Sequence, residues 1–122
     1  MMLSNNYAFI KKFPSAKNVT WQKGADYKSD FWFVSFILIG KKATATYSSD
    51  AKWCETTLEI PGKELNETVK SSLMYDYPKC EILSALITEL PWITIYDVKI
   101  KYSNKVLEVS YDYQGMPWPP KI

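Results

Sequence analysis

The sequence predicts an α+β fold of two tandem helix-plus-antiparallel-strand repeats, with the helices packed on one face of an antiparallel sheet. One observation is an internal similarity: Phe13-Pro14 is followed 64 residues later by Tyr77-Pro78. The other is composition, since a chain of 122 residues with 47% hydrophobic and 23% charged residues can bury a core. We therefore expect a single domain, residues 1–122.

The same offset relates positions in two apolar runs and in the turn between them, which predicts an internal duplication with pseudo-repeats 1–60 and 61–122. The matched pairs are Val34 and Val98, Phe36 and Ile100, Lys41 and Lys105, Ala45 and Val109, Tyr47 and Tyr111, and, one residue later in register, Trp53 and Trp118.

Each repeat begins with a predicted helix. Phe9 and Phe13 lie four residues apart in the first helix, and apolar side chains recur every four residues along Glu64–Tyr77 in the second. Both helices are expected to end at the next proline, Pro14 or Pro78, because the residue before a proline is disfavoured in helical geometry.

Strands are predicted after each helix. Residues 18–23 and 81–87 form short strands, and each is followed by a long hairpin. Apolar and polar side chains alternate along both strands of the second hairpin, and Ala43, Ala45 and Tyr47 are expected to face inward on the return strand of the first. The predicted hairpin turns are Gly40-Lys41 and Ser103-Asn104. A further strand, residues 52–60, closes the first repeat, and the proline-rich tail 116–120 is expected to lie extended on the surface.

Composition narrows the function. All 15 basic residues are lysines spread along the chain, the net charge is +2, and there is no histidine. We expect no nucleic-acid partner, no cofactor, no metal and no catalytic residue, because arginine forks and histidine bases are missing. No apolar window is long enough for membrane insertion. The two cysteines, Cys54 and Cys80, could pair or remain free.

The two repeats differ on the outward side of their hairpins. Phe31, Phe33, Ile37 and Ile39 match Ile95, Asp97, Lys101 and Ser103, so one copy is apolar where the other is mainly polar. An exposed apolar patch of this kind predicts a contact surface. The alternative is that the patch is covered by the N-terminal segment, the proline-rich tail or the mate of a symmetric homodimer.

Two tryptophans lie beyond the predicted hairpins, where loops often carry binding residues. The alternative is that each caps the core at a sheet end. The predicted partner-binding residues are thus Phe31, Phe33, Ile37, Ile39, Trp53 and Trp118.

Four segments carry a family resemblance: Phe-Pro-x-Ala-x-x-Val-x-Trp at 13–21, Tyr-Pro-x-Cys-x-x-Leu at 77–83, Tyr-Asp-Val-Lys-Ile at 96–100 and Val-Ser-Tyr-Asp at 109–112. The chain resembles the PepSY-like family of small bacterial proteins, which are similar in fold to the duplicated β-lactamase-inhibitor proteins. The resemblance implies a secreted or periplasmic protein, of a kind frequent in Bacteroidetes, without enzymatic activity and with a binding or inhibitory role.

Two features depart from that family. Residues 1–6 are too polar for a signal peptide, and the family's acidic turn is present only as 111–115 and 48–50. The expected function is a binding module that contacts a protein or peptide through the open sheet face. The alternative is a structural envelope protein, or one that holds a small apolar ligand against Phe31, Phe33, Ile37 and Trp53.

Overall fold

The computed structural model describes residues 3–120 and confirms the α+β class, with two α-helices and seven antiparallel strands among these residues. The helices are α1 (Leu3–Lys12) and α2 (Glu67–Asp76). The strands are β1 (Lys17–Lys23), β2 (Phe31–Leu38), β3 (Lys41–Ser48), β4 (Trp53–Pro61), β5 (Glu81–Glu89), β6 (Thr94–Tyr102) and β7 (Lys105–Asp112). Short 3₁₀-helices span Asp26–Lys28 and Gly62–Glu64.

The chain divides into two compact units, Met1–Leu58 (unit 1) and Glu59–Ile122 (unit 2). Helices α1 and α2 begin and end 64 residues apart, and so do strands β3 and β7. We call positions separated by 64 residues repeat-matched. They allow one unit to serve as the reference for the other.

The core of unit 1 forms between α1 and the strands. Phe9 is 1% exposed, and its ring centroid lies 4.9 Å from that of Phe36 and 5.7 Å from that of Trp21. Strand β3 alternates and buries Ala43, Ala45 and Tyr47 on the same side. A two-residue period in the strands and an aromatic side chain from the helix therefore build one cluster.

The core of unit 2 follows the same plan. Helix α2 buries Val69 and Leu73, and strand β6 buries Val98 and Ile100, all four fully excluded from solvent. Helix α2 begins at Glu67, so its predicted start at Glu64 was wrong. The Asn66 side chain caps the helix by accepting a hydrogen bond from the Val69 N–H at 2.8 Å, which is a preferred role of asparagine.

The first hairpin turn differs from its prediction. It consists of Ile39 and Gly40, with φ angles of 50° and 75°, and Lys41 already pairs with Leu38. A two-residue turn with two positive φ angles matches the twist of the strands. Ile39 therefore lies at the hairpin tip rather than on β2. The second turn, Ser103-Asn104, is confirmed with φ angles of 50° and 63°.

Two repeat-matched tyrosines are both buried but differ in hydrogen bonding. The Tyr111 hydroxyl donates to Asp76 Oδ2 at 2.7 Å, whereas the Tyr47 hydroxyl has no partner among the described residues. Burial raises the pKa of Tyr47 to about 12, and burial together with the bond to Asp76 raises the pKa of Tyr111. Burying a hydroxyl without a partner costs about 1–3 kcal/mol.

We expect opposite effects from removing the two hydroxyls. Tyr47→Phe should leave the free energy of unfolding unchanged or raise it by up to about 1 kcal/mol, because no protein hydrogen bond is lost. Tyr111→Phe should lower it by about 1 kcal/mol, because the bond to Asp76 disappears. Urea unfolding of both variants measures this difference, and equal destabilisation would show that Tyr47 also has a bonding partner.

Candidate functional site

The candidate site is the outer face of unit 1, defined as the side of its strands opposite α1. On β2, Val34 and Phe36 belong to the core cluster beneath α1. The intervening side chains of Phe33, Ser35 and Ile37 therefore point to the outer face, because successive strand residues alternate in direction.

Strand register surrounds the apolar residues with small polar ones. Phe33 lies opposite Gln22 on β1 and Thr46 on β3, and Thr46 lies opposite Glu55 on β4. The next row along the strands is Thr20, Ser35, Thr44 and Thr57. Ile37 lies opposite Lys42. The outer face is thus an open sheet surface with apolar side chains among hydroxyls and a few charges.

The predicted apolar residues are accessible to different degrees. Phe31, Phe33 and Ile37 are half-buried, and Ile39 at the hairpin tip is 82% exposed. Helix α1 packs on the opposite side of the strands, so the described N-terminal residues do not cover this face. Phe31, Phe33 and Ile37 share the face, and Ile39 borders it.

Two residues of the 3₁₀-helix before β2 extend the face and were missed in the sequence. The Lys28 Nζ lies 5.8 Å from the Phe33 ring centroid, and Tyr27 is 86% exposed. Gly24 permits this loop to fold back, since a Cβ there would lie 2.1 Å from the Lys28 carbonyl oxygen. The glycine after β1 was the available signal for a tight loop.

The repeat-matched outer face of unit 2 is mainly charged, although Ile95, which matches Phe31, is apolar and buried. Asp97, Lys99 and Lys101 are exposed on β6, and Glu108 lies opposite Lys99 on β7. The Ser110 hydroxyl is hydrogen-bonded to the Asp97 carboxylate. The apolar outer face is therefore specific to unit 1, although both units share the same strand pattern.

Trp53 does not lie with the other candidate residues. It is the first residue of β4, lies opposite Tyr47 and packs against the unit 1 core. Its indole N–H donates to Thr56 Oγ1 at 2.7 Å, and the Lys12 ammonium lies 4.0 Å from its ring centroid. A packing role on the helix side accounts for these contacts, and Trp53 stands apart from Phe33.

Trp118 belongs to unit 2. Its side chain is half-buried, and its backbone N–H donates to the Ser110 carbonyl oxygen at 2.9 Å. The proline-rich tail is thus attached to β7 by backbone contacts, of which the Tyr111–Pro117 bridge is another. A role of Trp118 in partner binding stays a prediction.

Unit 2 also has a shallow cleft beside α2. Its volume is about 320 Å³, and it is lined by Ser71, Ser72, Tyr75, Asp76, Gly115 and Pro117. Pro117 is repeat-matched to Trp53, so the cleft lies where unit 1 carries an indole ring. Its hydroxyls and single carboxylate could hydrogen-bond a small polar group, but they do not form a catalytic pair.

The thiols offer little reactivity. Cys54 and Cys80 are free cysteines, and burial raises the pKa of both. A thiol with a raised pKa stays protonated near neutral pH and is a weak nucleophile. Within residues 3–120, no three or more His, Cys, Asp or Glu side chains are grouped to hold a metal ion.

The similarity of this chain to known proteins comes from solved structures rather than from family models or curated proteins. No family model matches the sequence, and no curated protein matches it. Among the helices of the described residues, none is long and apolar enough to cross a membrane.

Three solved structures illustrate the similarity. A BLIP-like protein from Bacteroides fragilis has a TM-score of 0.81 at 18% identity, covering 98% of this chain and 84% of its own. A DUF2874 family protein from Bacteroides ovatus has a TM-score of 0.77 at 19% identity, with coverages of 95% and 83%. One of the "putative periplasmic proteins" of Bacteroides eggerthii has a TM-score of 0.77 at 15% identity, with coverages of 96% and 85%. The chain therefore has a BLIP-like α+β fold.

Proposed function

We propose that this protein is a non-enzymatic binding module, periplasmic or secreted, that contacts a protein or peptide through the outer face of unit 1. The BLIP-like fold and the periplasmic description of one similar structure support this proposal. On the basis of the sequence resemblance, we also propose that the protein is PepSY-like. The same resemblance implies a binding or inhibitory role, so we include inhibition of the partner in the proposal.

The observation that carries the proposal is the difference between the two outer faces. Unit 1 exposes part of Phe31, Phe33 and Ile37, beside a Tyr27 side chain that is 86% exposed. Aromatic side chains of this kind dominate protein interfaces, where they lose contact with water at small entropic cost. At the positions matched to Phe33 and Ile37, unit 2 carries the exposed charged residues Asp97 and Lys101, so the fold itself does not require apolar residues at these two positions.

The small-ligand alternative has less support. It requires Phe31, Phe33, Ile37 and Trp53 to surround one apolar molecule. Trp53 lies on the helix side of the strands, whereas Phe33 lies on the outer face. These side chains therefore do not converge on a common cavity, and an open face suits a large partner better.

Site-specific cross-linking tests the proposal. A photoreactive phenylalanine analogue at Phe33 is expected to form an adduct with a discrete partner in periplasmic and secreted fractions of a Bacteroides host. The same analogue at the repeat-matched Asp97 is the control and should form none. Identification of the adduct by mass spectrometry then provides the partner for binding measurements.

Purified partner allows a matched mutational test. Ile37→Asp or Phe33→Asp should weaken binding at least about tenfold, since a charge would be desolvated at the contact. Lys101→Asp, the repeat-matched change to Ile37→Asp, should have no effect on affinity. Circular dichroism checks that each variant is folded. Equal affinities for folded Phe33→Asp and wild-type protein would contradict the proposal.

A further inference from the structure

The fourth strand of unit 1 has no complete counterpart in unit 2. Strand β3 pairs with β4 from Thr46–Glu55 to Ala43–Leu58. Strand β7 pairs with β6 on one side. On its other side, the pairing between described residues is limited to the end near Ser110 and Asp112.

The two units start this strand in the same way. The Ser48 N–H donates to the Lys52 carbonyl at 2.9 Å, and the repeat-matched Asp112 N–H donates to the Met116 carbonyl at 2.8 Å. The pair Tyr47–Trp53 corresponds to the bridge Tyr111–Pro117. After Trp118 the tail contains Pro119 and Pro120, which have no N–H to donate.

At Val106–Glu108, where β7 has no partner strand on its second side among the described residues, the hairpin geometry shows which backbone groups are unpaired. The two-residue turn makes Tyr102 and Lys105 a hydrogen-bonded pair, and such pairs alternate along antiparallel strands. Leu107 therefore bonds to β6, whereas the N–H and C=O groups of Val106 and Glu108 point away from it. Val106 is 60% exposed and Glu108 is also exposed.

Side-chain burial on the helix side also indicates that, within residues 3–120, a strand is missing on the second side of β7. Ala43 and Ala45 beside β4 are 5% and 0% exposed. The repeat-matched Leu107 and Val109 are larger, yet each remains only half-buried. A strand beside β7 would cover them with the side chain that corresponds to Leu58.

We propose that the β7 edge at Val106–Glu108 binds an extended peptide as an added antiparallel strand, a mode of recognition based on main-chain hydrogen bonds. The peptide carries an apolar residue opposite Leu107 and a basic residue opposite Glu108. The first position follows from the pair Ala43–Leu58, and the second from charge complementarity across the strands. This edge is separate from the outer face of unit 1.

The probe is the acetylated and amidated pentapeptide Thr-Lys-Leu-Thr-Ile. It is based on residues 56–60 of β4, with lysine in place of Thr57 to lie opposite Glu108 and with threonine in place of Glu59. Titration into the full ¹⁵N-labelled chain should shift the amide resonances of residues 105–110 and slow hydrogen exchange at the Glu108 N–H. Absence of these changes at millimolar peptide would overturn the proposal.

Matched probes test the strand geometry. N-methylation of the lysine nitrogen, which faces β7, should weaken binding about tenfold, whereas N-methylation of the adjacent leucine nitrogen should have little effect. In the Glu108→Lys variant, a peptide with glutamate in place of lysine should bind more tightly than the original. Equal binding of both N-methyl peptides, or concentration-dependent pairing of β7 with a second copy instead, would overturn the proposal.

Discussion

Phe9→Ala is expected to lower the free energy of unfolding of unit 1 by about 3–5 kcal/mol, the usual cost of truncating a buried phenylalanine. Phe9 is the main contribution of α1 to the core, and its ring contacts those of Phe13, Trp21, Phe36 and Tyr47. The strand residues facing it include Ala43 and Ala45, which are too short to fill the space that the ring would leave. Urea unfolding followed by tryptophan fluorescence measures the loss.

Tyr7→Ala on the same helix is the matched control. Tyr7 is 69% exposed, so its truncation should change the free energy of unfolding by less than about 0.5 kcal/mol. A small effect of Phe9→Ala, comparable to that of Tyr7→Ala, would contradict the packing of α1 against the strands.

Much of the fold was predictable because some strands, such as β6, show a clear two-residue period of apolar and charged residues. Val98 and Ile100 alternate with charged residues, and this pattern identifies β6 without knowledge of its neighbours. The first residue of α2 was harder to predict from the sequence. Leu65 continues the four-residue spacing of Val69 and Leu73 and is buried. The helix nevertheless begins only after the Asn66 cap, so Leu65 lies outside it. The four-residue spacing of buried side chains therefore extends beyond the residues that are helical.

The candidate site was predictable where repeat-matched residues differ in polarity. The contrast between Phe33 and Asp97 identified the outer face of unit 1 from sequence alone. The side of Trp53 could not be predicted, because the strand register shifts between Thr46 and Tyr47. A bulge of this kind reverses which face a side chain takes, and no residue type signals it reliably.

Gly24 indicates a tight loop before β2, but the direction of that loop could not be predicted from the sequence. The Lys28 ammonium lies near the rings of both Phe33 and Tyr27, and the 3₁₀-turn that places it there depends on the close approach of the Gly24 backbone to Lys28. Loop direction is determined by local φ angles and close approaches rather than by a hydrophobic period. The sequence therefore predicted the strand residues of the outer face, such as Phe33, but not the loop residues beside them.

Val98→Asp is expected to have the largest effect in unit 2, lowering its free energy of unfolding by at least about 4 kcal/mol. Val98 is completely buried, lies opposite Ala85 on β5 and Val109 on β7, and has no basic neighbour on either pairing position. An ionised carboxylate there would lose its hydration without gaining a partner. Loss of the near-ultraviolet circular dichroism signal, together with a lower urea midpoint, measures the effect.

Lys99→Thr tests the same strand one residue further along. Lys99 is exposed on the opposite side of β6, and threonine suits a strand surface, so stability should change by less than about 0.5 kcal/mol. The contrast between adjacent positions follows from the two-residue period, since a shift of register by one residue would exchange their environments. A stable Val98→Asp protein beside an unfolded Lys99→Thr protein would require the opposite register for β6.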